Sequence, residues 1–194
     1  AVLAIIIAYF CGTLPIAILI AKSKGIDITT FGSGNPGASN VARALGTKYG
    51  ILVFVGDALK GALPVATMIS DRPVAYACAA ATVLGHVFPI TRKFKGGKGV
   101  ATTLGTYIGL SWPVGLACCA VWLVTAFASR ISSLSALVAL GAAPFFVAWF
   151  GDPKQLYLIG LISMLGWIRH RANIERLVKG EEPKINLKKK KEAA

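Results

Sequence analysis

Three stretches of this chain place glycines, small polar side chains and cations together, a combination suited to binding oxyanions. The first, GSGNPGASNVAR over residues 32–43, carries Ser33, Gly34, Asn35, Gly37, Ser39, Asn40 and Arg43. Glycines let backbone amides turn toward an anion, Ser and Asn add neutral donors, and the planar fork of Arg43 matches a phosphate. Alone, such a stretch is more often an ordinary loop. The second, GHVFPITRKFKGGKGVATTLG over 85–105, frames Lys98 with Gly96, Gly97 and Gly99 at the start of a helix. Free amides and the positive dipole end both favour phosphate there. A Walker P-loop needs Gly five positions before the Gly-Lys pair and Ser or Thr after it. Here those places hold Arg92 and Gly99, so nucleotide hydrolysis is disfavoured. Arg92 and Lys93 read as an ordinary cytoplasmic basic loop.

The third stretch, HRANIERLVKGEEPK over 170–184, puts His170, Asn173 and Arg176 on one face of a continuing helix. Glu175 is spaced to pair with Arg171 or Lys179. A juxtamembrane amphipathic helix on anionic headgroups is the plainer reading of this segment alone. Two further features are polar residues in apolar surroundings. Asp57 and Lys60 stand three apart, ahead of Gly61 and Pro64, as either a functional or a structural ion pair. His86 has no metal-competent residue at a recognisable spacing. The four cysteines lie in apolar runs with no CxxC, which suits packed thiols and gives no metal site.

The elements that must position these residues are membrane helices. A mean hydropathy of +0.66 with 55% hydrophobic and 15% charged residues is far too apolar for a soluble domain of 194 residues. The net charge of +13 would suggest nucleic acid in a soluble protein; between apolar runs it suggests cytoplasmic loops and lipid headgroups instead. No nucleic acid is expected. About 20 apolar residues cross a bilayer, and seven spans result: 2–21, 47–69, 74–90, 99–111, 113–129, 131–149 and 154–169. The expected fold is therefore an all-α integral membrane protein, a seven-span helical bundle forming one domain over 1–194, with a flexible basic tail at 184–194. The fourth span is short for a full crossing and could open a groove to lipid. The first run lacks a basic lead and is expected to stay as a span, not a cleaved leader. Eighteen of the 21 Lys and Arg fall on the side of the three polar stretches if the N-terminus is outside and the C-terminus cytoplasmic. Only Arg72 and Lys154 fall on the other.

In order, spacing and apolar spacers, GSGNPGASNVAR, GHVFPITRKFKGGKGVAT and HRANIERLVKGEE resemble the three signature motifs of the bacterial acyl-phosphate:glycerol-3-phosphate acyltransferase family, PlsY type. Ser39 stands where the family usually has Thr, which keeps a hydroxyl. The resemblance spans nearly the whole chain. It implies an inner-membrane enzyme, working at the cytoplasmic face, that moves a fatty acyl group from acyl phosphate to the 1-hydroxyl of glycerol 3-phosphate. The products are lysophosphatidate and phosphate, the first acylation of phospholipid synthesis. It implies no cofactor and no metal, membrane lipid as surroundings, and an acyl-phosphate synthase as a possible partner. On this reading Ser33, Arg43, Lys98, His170 and Asn173 form the catalytic set. Gly34, Asn35, Gly37, Asn40, Gly96, Gly97 and Gly99 bind phosphate. Ser33, Gly34 and Asn35 would hold the acyl-phosphate headgroup, Arg43 and Lys98 the phosphates, and His170 with Asn173 the glycerol 3-phosphate. A transporter of a phosphorylated solute is the competing class, but it would place its cations near the midplane and between repeats. None of the three stretches sits so, and no repeat is evident.

Overall fold

The computed structural model describes residues 1–185, and every element among them is helical. In chain order these are α1 (Val2–Thr13), α2 (Ile16–Lys22), α3 (Ala38–Leu45), α4 (Thr47–Ala66), α5 (Arg72–Val87), α6 (Val100–Leu110), α7 (Trp112–Ser129), α8 (Ser132–Phe150), α9 (Leu156–Arg169) and α10 (Arg171–Val178). Short 3-10 turns precede α6 and α9, at Ile90–Arg92 and Pro153–Gln155. Five segments are long and apolar enough to cross a membrane: Val2–Lys22, Thr47–Ala66, Arg72–Arg92, Trp112–Ser129 and Ser132–Phe150.

The run 2–21, expected as one helix, is two. Pro15 has no N–H to continue the ladder, and α1 stops at Thr13 before α2 resumes at Ile16. The stretch 32–43, read as a loop, ends in the helix α3. The run expected to reach 69 closes at Ala66, just past Pro64.

The short fourth run, α6, is the innermost element: residues 101–107 are all buried. Over these residues it presents no face of its own to lipid. Eleven residues suffice because it is walled by other helices, so its ends need not meet the bilayer surface. Small residues let the backbones approach. A Cβ on Gly105 would run into the Ala58 carbonyl of α4, and one on Gly61 into the Thr102 carbonyl of α6. The α1–α5 crossing is built the same way, with Gly12 against the Thr82 carbonyl and Gly85 against that of Tyr9.

The main core joins Leu104, Tyr107, Val114, Leu140, Val147 and Ile159 from α6 to α9. The fully buried Tyr107 has its hydroxyl 2.8 Å from Ser163 Oγ and 3.3 Å from the Ile159 carbonyl, so its polar end is satisfied. Phe127, Phe145, Trp149 and Tyr157 are among the most exposed side chains, which suits a lipid-facing surface.

At one end of the bundle Arg72 donates to the Leu110 carbonyl and Tyr76 to Asp152. At the other end the three polar stretches meet. The basic tail from 186 onward lies outside the described residues. Just before it, the Ile185 amide donates to the Arg130 carbonyl at 2.6 Å, tying the C-terminal segment to the α7–α8 junction.

Candidate active site

The first stretch is wound around one side chain. Asn40 is buried in the first turn of α3, and its Nδ2 donates to the carbonyls of Phe31 (2.9 Å) and Ile28 (3.2 Å). Its Oδ1 accepts from the Ser33 amide at 3.3 Å. Asn40 thus shapes the loop with its own hydrogen-bonding capacity. Gly32 and Gly34 take left-handed backbone (φ +57° and +66°), which a side chain would strain. Gly37 stands just ahead of the first turn of α3. Ser33 is left exposed on the rim, with Gly34 and Asn35 half-buried. Arg43 is exposed on the last turn of α3, and Ser39 Oγ lies 2.7 Å from Ser132 Oγ at the start of α8.

The second stretch is seated on the end of α5. The Gly97 amide donates to the His86 carbonyl at 3.2 Å, and a Cβ at Gly96 would strike backbone carbonyls of His86 and Val87. Gly99, left-handed at φ +80°, turns the chain into α6. Lys98 is thereby directed at α10, where its Nζ donates to Asn173 Oδ1.

In the third stretch the helix breaks at His170, between α9 and α10. The imidazole Nδ1 lies 2.7 Å from the Gly166 carbonyl. Nδ1 therefore carries the proton, and Nε2 keeps its lone pair. Beyond α10 the chain turns at Gly180 (φ +71°) and brings Glu182 back under the helix. Glu182 accepts from Asn173 Nδ2 (2.6 Å), Ser133 Oγ (2.7 Å) and Arg176 Nε (2.7 Å). Glu175 pairs with Arg171 at 3.2 Å on the exposed side, one of the two alternatives its spacing allowed.

The electrostatics follow from this crowding. Burial draws the Lys98 amine down to about 8; Glu182 opposes that, while Arg176, Arg43 and Arg169 add to it. His170 is pushed to about 4, first by burial and then by Lys98 and Arg169, against the Gly166 hydrogen bond and Glu182. Burial raises Glu182, but the hydrogen bonds from Ser133, Asn173 and Arg176 and the charge of Arg176 outweigh it, so the carboxyl sits below its ordinary value. A cluster with so many like charges is short of an anion.

Beside this cluster, on the other side of the Lys98 loop, lies a cavity of about 430 Å³ lined by Thr29, Gly34, Pro36, Arg92, Phe94, Lys95, Gly96 and Arg169. The Arg169 guanidinium lies over the Phe88 ring at 5.7 Å, and its Nε is buried with no hydrogen-bond partner among the described residues. Arg92 is therefore part of a cationic wall and not merely a basic loop residue. Sequence reasoning also missed Arg169, Ser133 and Glu182. Arg169 abuts His170 and could have been suspected; nothing in the sequence indicated that the GEE turn folds back.

A family profile described as glycerol-3-phosphate acyltransferase matches residues 2–180. A glycerol-3-phosphate acyltransferase of Paramagnetospirillum magneticum is 44% identical, over 95% of this chain and 94% of that protein. One of Dinoroseobacter shibae is 47% identical, over 94% and 92%. A crystal structure of PlsY (YgiH), an integral membrane glycerol 3-phosphate acyltransferase, in its glycerol 3-phosphate form superposes with a TM-score of 0.90 at 40% identity, covering 95% of each chain. Its lysophosphatidic acid form gives 0.88 at 41%, covering 94% of each. Matched over nearly its whole length by profile, sequence and fold, the chain belongs to the glycerol-3-phosphate acyltransferase family.

Proposed function

We propose that this protein, an acyltransferase that acylates glycerol 3-phosphate, takes the acyl group from acyl phosphate and works at the cytoplasmic face of the bacterial inner membrane. The supporting observation is the pair of adjoining cationic sites. One is built on Lys98, Asn173 and Arg176; the other is the cavity between Gly34, Gly96, Arg92 and Arg169. A reaction whose two substrates both carry phosphate needs two such places side by side. The donor phosphate occupies the cavity, against Gly34 and the amides around Ser33 and Asn35. Glycerol 3-phosphate sits at Lys98, His170 and Asn173, with Arg43 closing over the rim.

The hydroxyl oxygen of glycerol 3-phosphate forms a bond to the acyl carbonyl carbon as the carbon–oxygen bond to phosphate breaks, and the electron pair leaves with phosphate. Acyl phosphate is a mixed anhydride, so the protein's main tasks are alignment and offset of charge on the leaving group. The hydroxyl proton needs an acceptor. His170, held near 4, is a weaker base than a phosphate monoester, whose second pKa is about 6. The substrate's own phosphate takes the proton; Asn173 Nδ2 donates to that phosphate, while His170 Nε2, an acceptor only, takes a hydrogen bond from the other hydroxyl of glycerol 3-phosphate and so aligns it.

The bundle crosses the membrane seven times, counting α1 with α2 as one span and α6 and α9 as two more, with the N-terminus outside. Incubating purified protein with acyl phosphate and glycerol 3-phosphate tests the reading: phosphate release should require both substrates. Equal release without glycerol 3-phosphate, or none from acyl phosphate, would refute the assignment of the donor.

A further inference from the structure

Beneath the loop that carries Lys98, four polar side chains from three helices form a chain of contacts that the chemistry above does not use. Lys60 Nζ lies 2.8 Å from Asp57 Oδ1, one turn back on α4. It also donates at 2.8 Å to the carbonyl of Leu14, which the Pro15 break leaves outside the helical ladder. Asp57 Oδ1 lies 3.8 Å from His86 Nδ1 on α5, and that nitrogen lies 3.2 Å from Thr102 Oγ1 on α6. All four residues are buried. A buried ion pair is poor evidence of stability, because apolar replacements of similar volume often do as well. Ionisable groups inside a membrane bundle usually serve function.

The far side of His86 shows what the chain of contacts holds. Its carbonyl receives the Gly97 amide at 3.2 Å, and the three atoms nearest to a Cβ built on Gly97 all belong to the His86 imidazole. Gly97 has no left-handed backbone to account for its being glycine. It is the imidazole edge that leaves no room for a side chain. A small cavity of about 20 Å³, large enough for one water, is lined by Asp57, Lys60, His86, the α1–α2 break and Pro36 of the first glycine-rich stretch. The polar chain therefore underlies both glycine-rich segments.

We propose that Lys60, Asp57 and His86 are positioning residues for phosphate binding. The ion pair and Thr102 fix the imidazole, the imidazole fixes Gly97, and Gly97 sets the reach of Lys98 toward the glycerol 3-phosphate. This rests on the reading of Lys98 as a phosphate ligand. A shift of about 1 Å in such a contact can cost on the order of 10²-fold in rate.

The test is a double-mutant cycle on the purified full chain, read as KM and kcat for glycerol 3-phosphate at saturating acyl phosphate, with Tm in detergent recorded alongside. Gly97→Ala and His86→Ala should each raise KM about tenfold or more. The double variant should be no worse than His86→Ala alone, since the ring that excluded the new methyl is gone. Asp57→Asn should raise KM in the same direction. Losses that simply multiply in the double variant would overturn the proposal, as would a fall in Tm for His86→Ala with KM unchanged. If His86→Ala does not yield folded protein, His86→Gln replaces it in the cycle, because its amide can swing off Gly97. Lys98→Ala separates the two layers of argument. No effect there refutes the phosphate ligand itself, whereas a loss there combined with a multiplicative cycle refutes only the positioning role.

Discussion

Lys98 and His170 carry opposite burdens in the same site, and their titration separates their roles. With its amine held at about 8, Lys98 is cationic below that pH and neutral above it. An anion bound beside it stabilises the charged form, so its pKa rises in the complex. Because kcat/KM reports the free enzyme and kcat the complex, kcat/KM for glycerol 3-phosphate should fall as pH rises through about 8, while the kcat limb lies higher. Lys98→Arg should remove the basic limb, since a guanidinium stays charged, at some cost in rate from its different geometry. A limb unchanged in that variant would assign it to another group. His170 gives the converse case. With its pKa at about 4 it is neutral throughout the working range, so an acidic limb near 6 belongs to the substrate phosphate. His170→Gln should lose activity, chiefly through KM for glycerol 3-phosphate, yet keep that limb. Its disappearance in the variant would make His170 the general base.

The helices bring these residues together by close crossings, and glycine is where the crossings can be tested. Gly105→Ala would push a methyl into the Ala58 carbonyl of α4, a backbone atom that cannot swing away. The expected loss is about 1–3 kcal/mol of stability, the usual cost of overpacking, read as thermal unfolding in detergent. A Cβ on Gly160 of α9 meets nothing within 4 Å, so Gly160→Ala should be neutral or stabilising by up to about 1 kcal/mol. Equal effects at both positions would show that the α4–α6 approach is not set by glycine. The sequence made most of the helices legible because apolar length and charged ends are local properties. It misread the first run because Pro15 acts on a ladder whose freed Leu14 carbonyl is taken up in part by Lys60, far along the chain. It showed the three polar stretches for the same local reason, and it hid Glu182, whose partners Ser133, Asn173 and Arg176 are joined by a turn beyond the last span. Asn40 was legible as polar but not as the peg its loop folds around.

At the scale of the whole molecule the charge is lopsided, and the lopsidedness coincides with the site. The three polar stretches meet at one end, where Lys98 reaches Asn173 and Ser39 reaches Ser132, while Arg72, Tyr76 and Asp152 lie at the other. Eighteen of the 21 basic residues fall on the site's side of the bundle or in the tail if seven crossings are counted. Such a bias in short loops fixes orientation during insertion, so the site end should face the cytoplasm. The same end would then be the one reached by water-soluble glycerol 3-phosphate. Cys11, Cys78, Cys118 and Cys119 are buried or half-buried thiols, and replacing them should give a silent background for labelling. In that background single cysteines at Ser39, Lys95 and Lys179, all exposed, should resist a membrane-impermeant thiol reagent in intact cells and react once the cells are permeabilised. A cysteine at Lys154, exposed at the opposite end, should react in intact cells once the outer barrier is opened. Labelling of Lys95→Cys before that of Lys154→Cys would invert the bundle and place the cationic site outside.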